Sequence, residues 1–393
     1  MAKTETNKPL KYPAWMPRFW HGMPPNVWFR VIGKHLSGIS IGRMHHVIGV
    51  SLFSPMNAML AVSQQLIWGR AIARAELVAP PVFVLGHWRS GTTLLHEYLS
   101  LDTQFATPTT YECFAPWHFL LTEGWVTRFG GFLLPHRRPM DNMQAGWGLP
   151  QEDEFAMVNL GAPSPYYRIL FPNEEVPYTD TLSTAEFQIE NLVRWKESLL
   201  WFLKALTLHN QKRMLLKSPP HTGRLGILQS MFPGSKYVHI VRDPRKLYPS
   251  TMNLWVSLDA HQALQSPTDR KRLHRFVVES LNSMYRAFET DRATIRREQI
   301  IDVTYESFVA DPIATMEEIY RHLDLGVTEE LRARWEQKQR HERGYQTNRL
   351  QLDTDEEAMI LREWKEYAER YGYLEREGAT SASARLINSD HTA

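Results

Sequence analysis

Val82-Phe83-Val84-Leu85-Gly86-His87-Trp88-Arg89-Ser90-Gly91-Thr92-Thr93-Leu94-Leu95-His96-Glu97-Tyr98-Leu99, residues 82 to 99 of a 393-residue chain, carries an uncharged apolar run through a Gly/Ser/Thr turn into a helical pattern. Val82 to Leu85 is β-branched and aromatic-rich, as a strand buried on both faces of a parallel sheet should be. Gly86 and Gly91 can adopt backbone angles closed to other residues, so the amides between them can turn toward an anion at the N-terminus of the following helix. Ser90, Thr92 and Thr93 add hydroxyls and Arg89 adds a cation. The stretch predicts strand, phosphate loop and helix, and therefore a phosphate-bearing ligand. Its Gly, four residues, Gly spacing is that of a Walker A loop, but Thr92-Thr93 stand where Lys and then Ser/Thr belong. An NTPase uses that lysine on the β- and γ-phosphates beside Mg²⁺, and its loss argues against ATP or GTP hydrolysis.

Three further apolar runs lie downstream: Met214-Leu215-Leu216 before Lys217, Tyr237 to Val241 before Arg242, and Ile300 to Thr304 before Tyr305. Helical sequence follows each. Such alternation predicts an α/β fold, a central parallel sheet flanked by helices in three layers. Ligands in such sheets bind outside the carboxyl ends of the strands, where four separate segments converge here: the Gly86 loop, Lys217, Arg242 and Tyr305. Between the first and second strands, residues 107–180 are aromatic, partly basic and aperiodic, which fits an acceptor-binding insertion beside a rigid sheet. Within it, Gln151-Glu152-Asp153-Glu154 reads as a solvated helix N-terminus, where acids complement the dipole. Ser183-Thr184-Ala185-Glu186 has the form of a capping box opening a long amphipathic helix to about His209, with Leu192, Trp195, Leu199, Phe202 and Leu203 on one face.

Composition narrows the function classes. Forty-five Lys and Arg against 43 Asp and Glu give a net charge of +2, which excludes nucleic acid as a bulk partner and makes any basic site local. Cys113 is the single cysteine, so there is no internal disulfide and no cysteine-rich metal site, and a reducing, cytoplasmic setting is expected. Residues 1–13 lack the apolar core of a signal peptide. Residues 1–78 form a Pro/Trp-rich and helical extension whose aromatics are expected to lie against the main domain, residues 79–376, and residues 377–393 read as a disordered tail. Val47 to Gly69 carries no formal charge but is interrupted by Pro55, Asn57, Gln64 and Gln65. It reads as a buried or interfacial helix rather than a membrane span, leaving peripheral membrane contact or a homodimer open.

Gly86 to Thr93 resembles the 5′-phosphosulfate loop of sulfotransferases that use 3′-phosphoadenosine-5′-phosphosulfate (PAPS), most closely the bacterial members related to tyrosylprotein sulfotransferases. The resemblance runs by ordered motifs over roughly residues 80 to 375 and implies the P-loop-type three-layer fold. It assigns Gly86, Arg89, Ser90, Gly91, Thr92 and Thr93 to the phosphosulfate. Arg242 and Ser250, an arginine at a strand end and a serine eight residues on, match the family's 3′-phosphate pair, which suits a guanidinium's planar fork. Tyr305-Glu306-Ser307-Phe308 is similar to the family's Tyr-Glu-Asp-Leu segment near the nucleotide, with serine in place of aspartate. Arg340, Arg343 and Gly344 stand where a late basic loop closes over the 3′-phosphate.

Lys217-Ser218-Pro219-Pro220-His221 resembles the strand-end segment whose lysine faces the phosphosulfate. Sulfuryl transfer, like phosphoryl transfer, needs the reacting group positioned and the charge growing on the leaving oxygen neutralised. Lys217, Arg89 and the loop amides are expected to supply that without a metal. A base must take the acceptor's proton; the resemblance points to Glu112, with His221 as the second candidate. The chain is thus expected to transfer a sulfuryl group from PAPS to a hydroxyl or amine of a small-molecule, lipid or glycan acceptor. A P-loop kinase or NTPase, and a non-catalytic nucleotide-binding adaptor, are the alternatives.

Overall fold

Val82–Leu85, buried at every position, is the central strand (β1) of a sheet completed by Phe105–Ala106 (β2), Arg213–Lys217 (β3), Lys236–Val241 (β4) and Ile300–Thr304 (β5). In this computed structural model, which describes residues 16–134, 144–342 and 352–374, every pairing is parallel and the order is β2-β3-β1-β4-β5. Val82 lies opposite Leu215 on one side and Lys236 on the other, so the most uniformly apolar strand is the middle one of the five. The four longer strands fall where the apolar runs predict them. β2 escapes a pattern reading because two residues carry no period.

Alternate strand residues enter two cores. Phe83, Leu85, Leu216, Tyr237 and Val241 face one; Val82, Val84, Leu215, Val238 and Ile240 face the other. The helices that close the layers are, in chain order, Pro25–Gly33 (α1), Met44–Arg74 (α2), Thr92–Leu99 (α3), Thr110–Phe114 (α4), Phe119–Phe129 (α5), Asp153–Leu160 (α6), Ile189–His209 (α7), Leu225–Met231 (α8), Pro244–Gln262 (α9) and Arg270–Arg292 (α10), followed by five shorter ones between Tyr305 and Arg370. Residues of α7, α9 and α10 fill the first core. Those of α3 and of the helices Pro312–His322 and Glu329–Glu342 fill the second. Sheet between two helical layers is the arrangement the alternation predicts.

The N-terminal aromatics dock onto this frame as expected. Trp20 and Trp28 are fully buried in the first core, the indole N–H of Trp20 donating to the Gln262 carbonyl at 2.9 Å and that of Trp28 to Ser51 Oγ at 2.9 Å. The uncharged stretch is one helix, the 31-residue α2, with Pro55 inside it. Among the described residues, Ile41–Arg74 is the one segment long and apolar enough to cross a membrane.

The expected opening of α7 at Ser183 is not found. Thr184 is tied elsewhere, its N–H and Oγ1 to the Gly223 carbonyl and its Oγ1 also to Asp291 at 2.7 Å, so the helix begins only at Ile189. Its face is as predicted, with Trp195, Leu199, Phe202 and Leu203 buried. The 107–180 region is less irregular than its sequence suggests, since α4, α5 and α6 organise it. The predicted tail, 377–393, lies outside the described residues.

Candidate active site

The loop between β1 and α3 is built on three left-handed residues: Gly86 at φ 145°, Arg89 at φ 71° and Gly91 at φ 110°. At both glycines a side chain is excluded by space as well as by angle. A Cβ on Gly86 would fall 2.5 Å from the Ile240 carbonyl oxygen, and one on Gly91 2.5 Å from the ring of Tyr305. Gly91 caps α3 without a side-chain acceptor, which leaves the helix's first-turn amides for a ligand. The hydroxyl of Ser90 is buried with no hydrogen-bond partner among the described residues. The loop is held from behind: Thr222 Oγ1 accepts from Gly86 N at 2.8 Å, and Trp88 donates its indole N–H to the Tyr166 hydroxyl at 2.8 Å.

The candidate 3′-phosphate pair meets this loop. Arg89 Nε donates to Ser250 Oγ at 3.1 Å, and Arg242 Nη1 donates to the Arg89 carbonyl at 3.0 Å. The Arg242 guanidinium lies 4.2 Å above the Tyr305 ring, and its Nε is buried without a hydrogen-bond partner. Burial lowers its pKa, so the site holds a poorly solvated cation that a dianion would complete. Glu306 accepts from Asp243 N at 3.1 Å and from the Tyr373 hydroxyl at 3.0 Å, tying β5 to β4 and to the C-terminal segment. Ser307, the departure from the family motif, bonds back to Thr304, whose hydroxyl accepts from Ser307 N and caps the helix Tyr305–Ala310. Arg89, Ser250, Arg242 and Tyr305 therefore come together, as expected from sequence. Arg340 does not join them: it is exposed on the helix Glu329–Glu342 beside Glu336 at 3.8 Å. Arg343 and Gly344 lie outside the described residues.

Lys217, at the end of β3, is buried and reaches the first turn of α3, 3.4 Å from Thr93 Oγ1. Its carboxylate partner is Glu152, at 2.7 Å. The acids read as a solvated helix start are instead a row of partners for the segment after β3, two of them fully buried and Glu152 partly so. Glu152 takes Lys217. Asp153 accepts from Ser218 Oγ at 2.8 Å and lies 2.7 Å from His221 Nε2, and Glu154 accepts from both terminal nitrogens of Arg224 at 2.7 and 3.1 Å. Burial would raise the Asp153 pKa, but the His221 charge and the hydrogen bonds from His221 and Ser218 hold it below the ordinary carboxylate value. Asp153 and Glu154 can be fully buried and Glu152 largely so because each has a partner of its own. Glu152 also accepts from the Tyr166 hydroxyl, which itself holds Trp88 of the phosphate loop. Burial and the Glu152 charge push the Tyr166 phenol well above its usual value, so it stays a donor.

The two base candidates from sequence are placed differently. His221 is fully buried behind the loop, with its Nε2 on Asp153 and its ring edge-on to Phe83. Glu112 is buried as the third residue of α4, accepting from Thr109 N at 2.7 Å in a capping box. It neighbours Glu123 and His209, and ligand-type atoms of all three lie within 4.8 Å of one another, the one metal-type cluster among the described residues. His209 Nε2 is 3.1 Å from Glu123, and that hydrogen bond raises its pKa. Burial, with the Glu123 charge beside it, pushes Glu112 up to about 7. Sequence reasoning missed Glu152, Tyr166 and Thr222. The signal for Glu152 was present as three consecutive acids facing Lys217, His221 and Arg224 at the next strand end.

The fold is that of two solved mycobacterial sulfotransferases, STF9 from Mycobacterium avium (TM-score 0.64, 18% identity, covering 91% of this chain and 93% of that one) and STF1 from Mycobacterium tuberculosis (TM-score 0.58, 18% identity, 86% and 90%). The sequence is 36% identical over 363 residues, 92% of this chain and 93% of the relative, to the omega-hydroxy-beta-dihydromenaquinone-9 sulfotransferase Stf3 of Mycobacterium bovis and of M. tuberculosis. Residues 80–329 match the profile of the sulfotransferase family, the span from just before β1 to the start of the helix Glu329–Glu342. With a family match over more than half its length and a relative so similar from end to end, this chain belongs to the sulfotransferase family and is an enzyme of sulfuryl transfer.

Proposed function

We propose that the donor is PAPS and that Lys217 and Glu152, together, carry the transfer. The observation that carries this reading is the 2.7 Å contact between them at the N-terminus of α3. In it, the loop amides, Ser90 and Thr92 bind the 5′-phosphosulfate, while Arg89, Ser250 and Arg242 bind the 3′-phosphate over Tyr305. The acceptor oxygen attacks sulfur in line. The S–O bond to the 5′-phosphate breaks as the new O–S bond forms, Lys217 neutralises the charge arriving on the leaving phosphate oxygen, and Glu152 takes the acceptor's proton. Donor binding would draw Lys217 toward the phosphate, freeing Glu152 to act as a base.

For the acceptor, the same reading takes the terminal hydroxyl of a long, isoprenoid-like lipid, the chemistry in the name of the relative at 36% identity, and for the setting the cytoplasm. Calorimetric titration with 3′,5′-ADP and separately with Mg·ATP tests the donor. Tight binding of 3′,5′-ADP without added metal is expected, weakened about ten- to hundredfold by Arg242→Ala, as fits one charged, bidentate contact. Preference for Mg·ATP would restore the kinase alternative and overturn the reading.

A further inference from the structure

The middle of helix α2 is inside out, with apolar side chains buried only at Val47 and Val50 near its start and Ile72 near its end. Its buried stripe includes Ser54 (0% exposed), Asn57, Gln64 (1% exposed) and His46, while Ile48, Leu52 (73% exposed), Met56, Met59, Val62 and Leu66 (82% exposed) face solvent. The exposed set recurs every three or four residues and members of the buried set lie about one or two helical turns apart, so they are opposite faces of one cylinder. The polar face is occupied by specific bonds. Ser54 donates to the Met23 carbonyl at 3.0 Å, Asn57 to the His21 and Met23 carbonyls, and Gln64 accepts from Leu120 N at 2.9 Å. A water-facing helix would present the reverse pattern. A spanning helix would have to release this polar stripe into hydrocarbon, where unsatisfied groups cost several kcal/mol each.

The outward face is about 46 Å long at 1.5 Å per residue over 31 residues. Next to it, α5, which receives the Gln64 bond at its start, exposes Trp125, Phe129 and, just beyond, Phe132. Charge identifies what covers this surface. From Ile41 to Ala75 there is no Asp or Glu, and the three formal charges are Arg43 at one end and Arg70 and Arg74 at the other. Lys204 of α7 adds a fourth cation there, its Nζ donating to the Ala73 carbonyl at 2.9 Å. A second copy laid along this face, parallel or antiparallel, would set cations against cations. An anionic lipid surface accepts both ends and the apolar middle.

We propose that the solvent face of α2, with the aromatic residues of α5, is a membrane-docking surface on which the enzyme lies flat on an anionic bilayer. The surface is independent of the acceptor reading above, since it rests on α2 and the residues of α5 and α7 beside it and on no active-site residue. The purified full chain should float with vesicles of phosphatidylcholine containing phosphatidylglycerol, and Leu52→Glu/Leu66→Glu should reduce the bound fraction at least tenfold. Both leucines are exposed, so the variant's melting temperature and 3′,5′-ADP affinity should stay those of the parent. Arg70→Glu/Arg74→Glu should weaken binding to vesicles with phosphatidylglycerol more than to vesicles without it. A parent that does not float overturns the proposal. If that parent is a dimer by light scattering and the double leucine variant a monomer, the face belongs to a second copy. Activity on a hydroxy-lipid dissolved in detergent separates the two readings, because it needs the active site and no bilayer.

Discussion

Two carboxylates can be told apart by single-atom changes. Glu152→Gln keeps the size and the hydrogen-bond acceptor near Lys217 but cannot take a proton, so kcat should fall about 10²–10⁴-fold with donor KM little changed, the range for loss of a general base. Lys217→Ala should lose turnover on the same scale while 3′,5′-ADP binding is largely kept. Glu112→Gln should retain most activity, and steady-state kinetics on the three variants check the assignment; the opposite ranking would return Glu112 to the role of base. Glu112 has its own signature in stability. With its pKa raised from the ordinary 4.5 to about 7, the folded protein binds a proton that the unfolded chain has already released between those values. Stability from this group is therefore lost as pH rises from about 4.5 to 7 and stays lost above. Glu112→Gln should remove that slope, melting nearer the parent at pH 5 and higher by an amount worth roughly 1–3 kcal/mol at pH 8. Parallel melting curves for the two proteins across this range would show that the buried carboxyl is not protonated. At this scale the residues proposed to bind the anions could be picked out from sequence, because glycines, a serine and arginines at strand ends state their chemistry locally. Glu152 was not, because its partner lies 65 positions away and only the fold brings them together.

The elements explain why three consecutive acids do different things. α6 presents Glu152, Asp153 and Glu154 at its start, and the segment from Lys217 to Arg224 runs past it with one partner for each. Glu152 is the half-open member, beside the phosphate loop; Asp153 and Glu154 are sealed in. Asp153→Ala would strand His221 and Ser218 in a dry site, and chemical denaturation should show a loss of about 3–5 kcal/mol. Asp153→Asn, which keeps an acceptor for Ser218 but no carboxylate charge, should lose less; equal losses would mean that the retained acceptor contributes nothing and that the carboxylate charge carries the whole effect. The same logic explains the missed start of α7. Ser183 to Glu186 has the residue types of a cap, but Thr184 spends its hydroxyl and amide on the segment after β3 and on α10. Long-range bonds overrode local preference. The four longer strands, by contrast, were legible at nearly their observed bounds, since a buried parallel strand is a short apolar run with little else to become.

Across the molecule, the ordered strand-end motifs fixed the class of fold because a doubly covered parallel sheet gathers them at one edge. What could not be foreseen was which surface faces what: α2 has the same composition whether its apolar side turns inward or outward, and only the bonds from Ser54, Asn57 and Gln64 decide it. The sheet order has one more consequence, for the newly made chain. β1 stands between β3 and β4, whose pairing residues Leu215 and Lys236 follow Val82 by ~130 and ~150 positions. At a translation rate of about 5–20 residues per second, the strand that carries the phosphate loop emerges roughly 7–30 s before either of its neighbours exists. During that interval Val82-Phe83-Val84-Leu85 is a bare, sticky edge on a nascent polypeptide, a natural client for a ribosome-associated chaperone. A chain that stops before β3 carries the whole loop without either neighbouring strand and without Thr222 to hold it in shape.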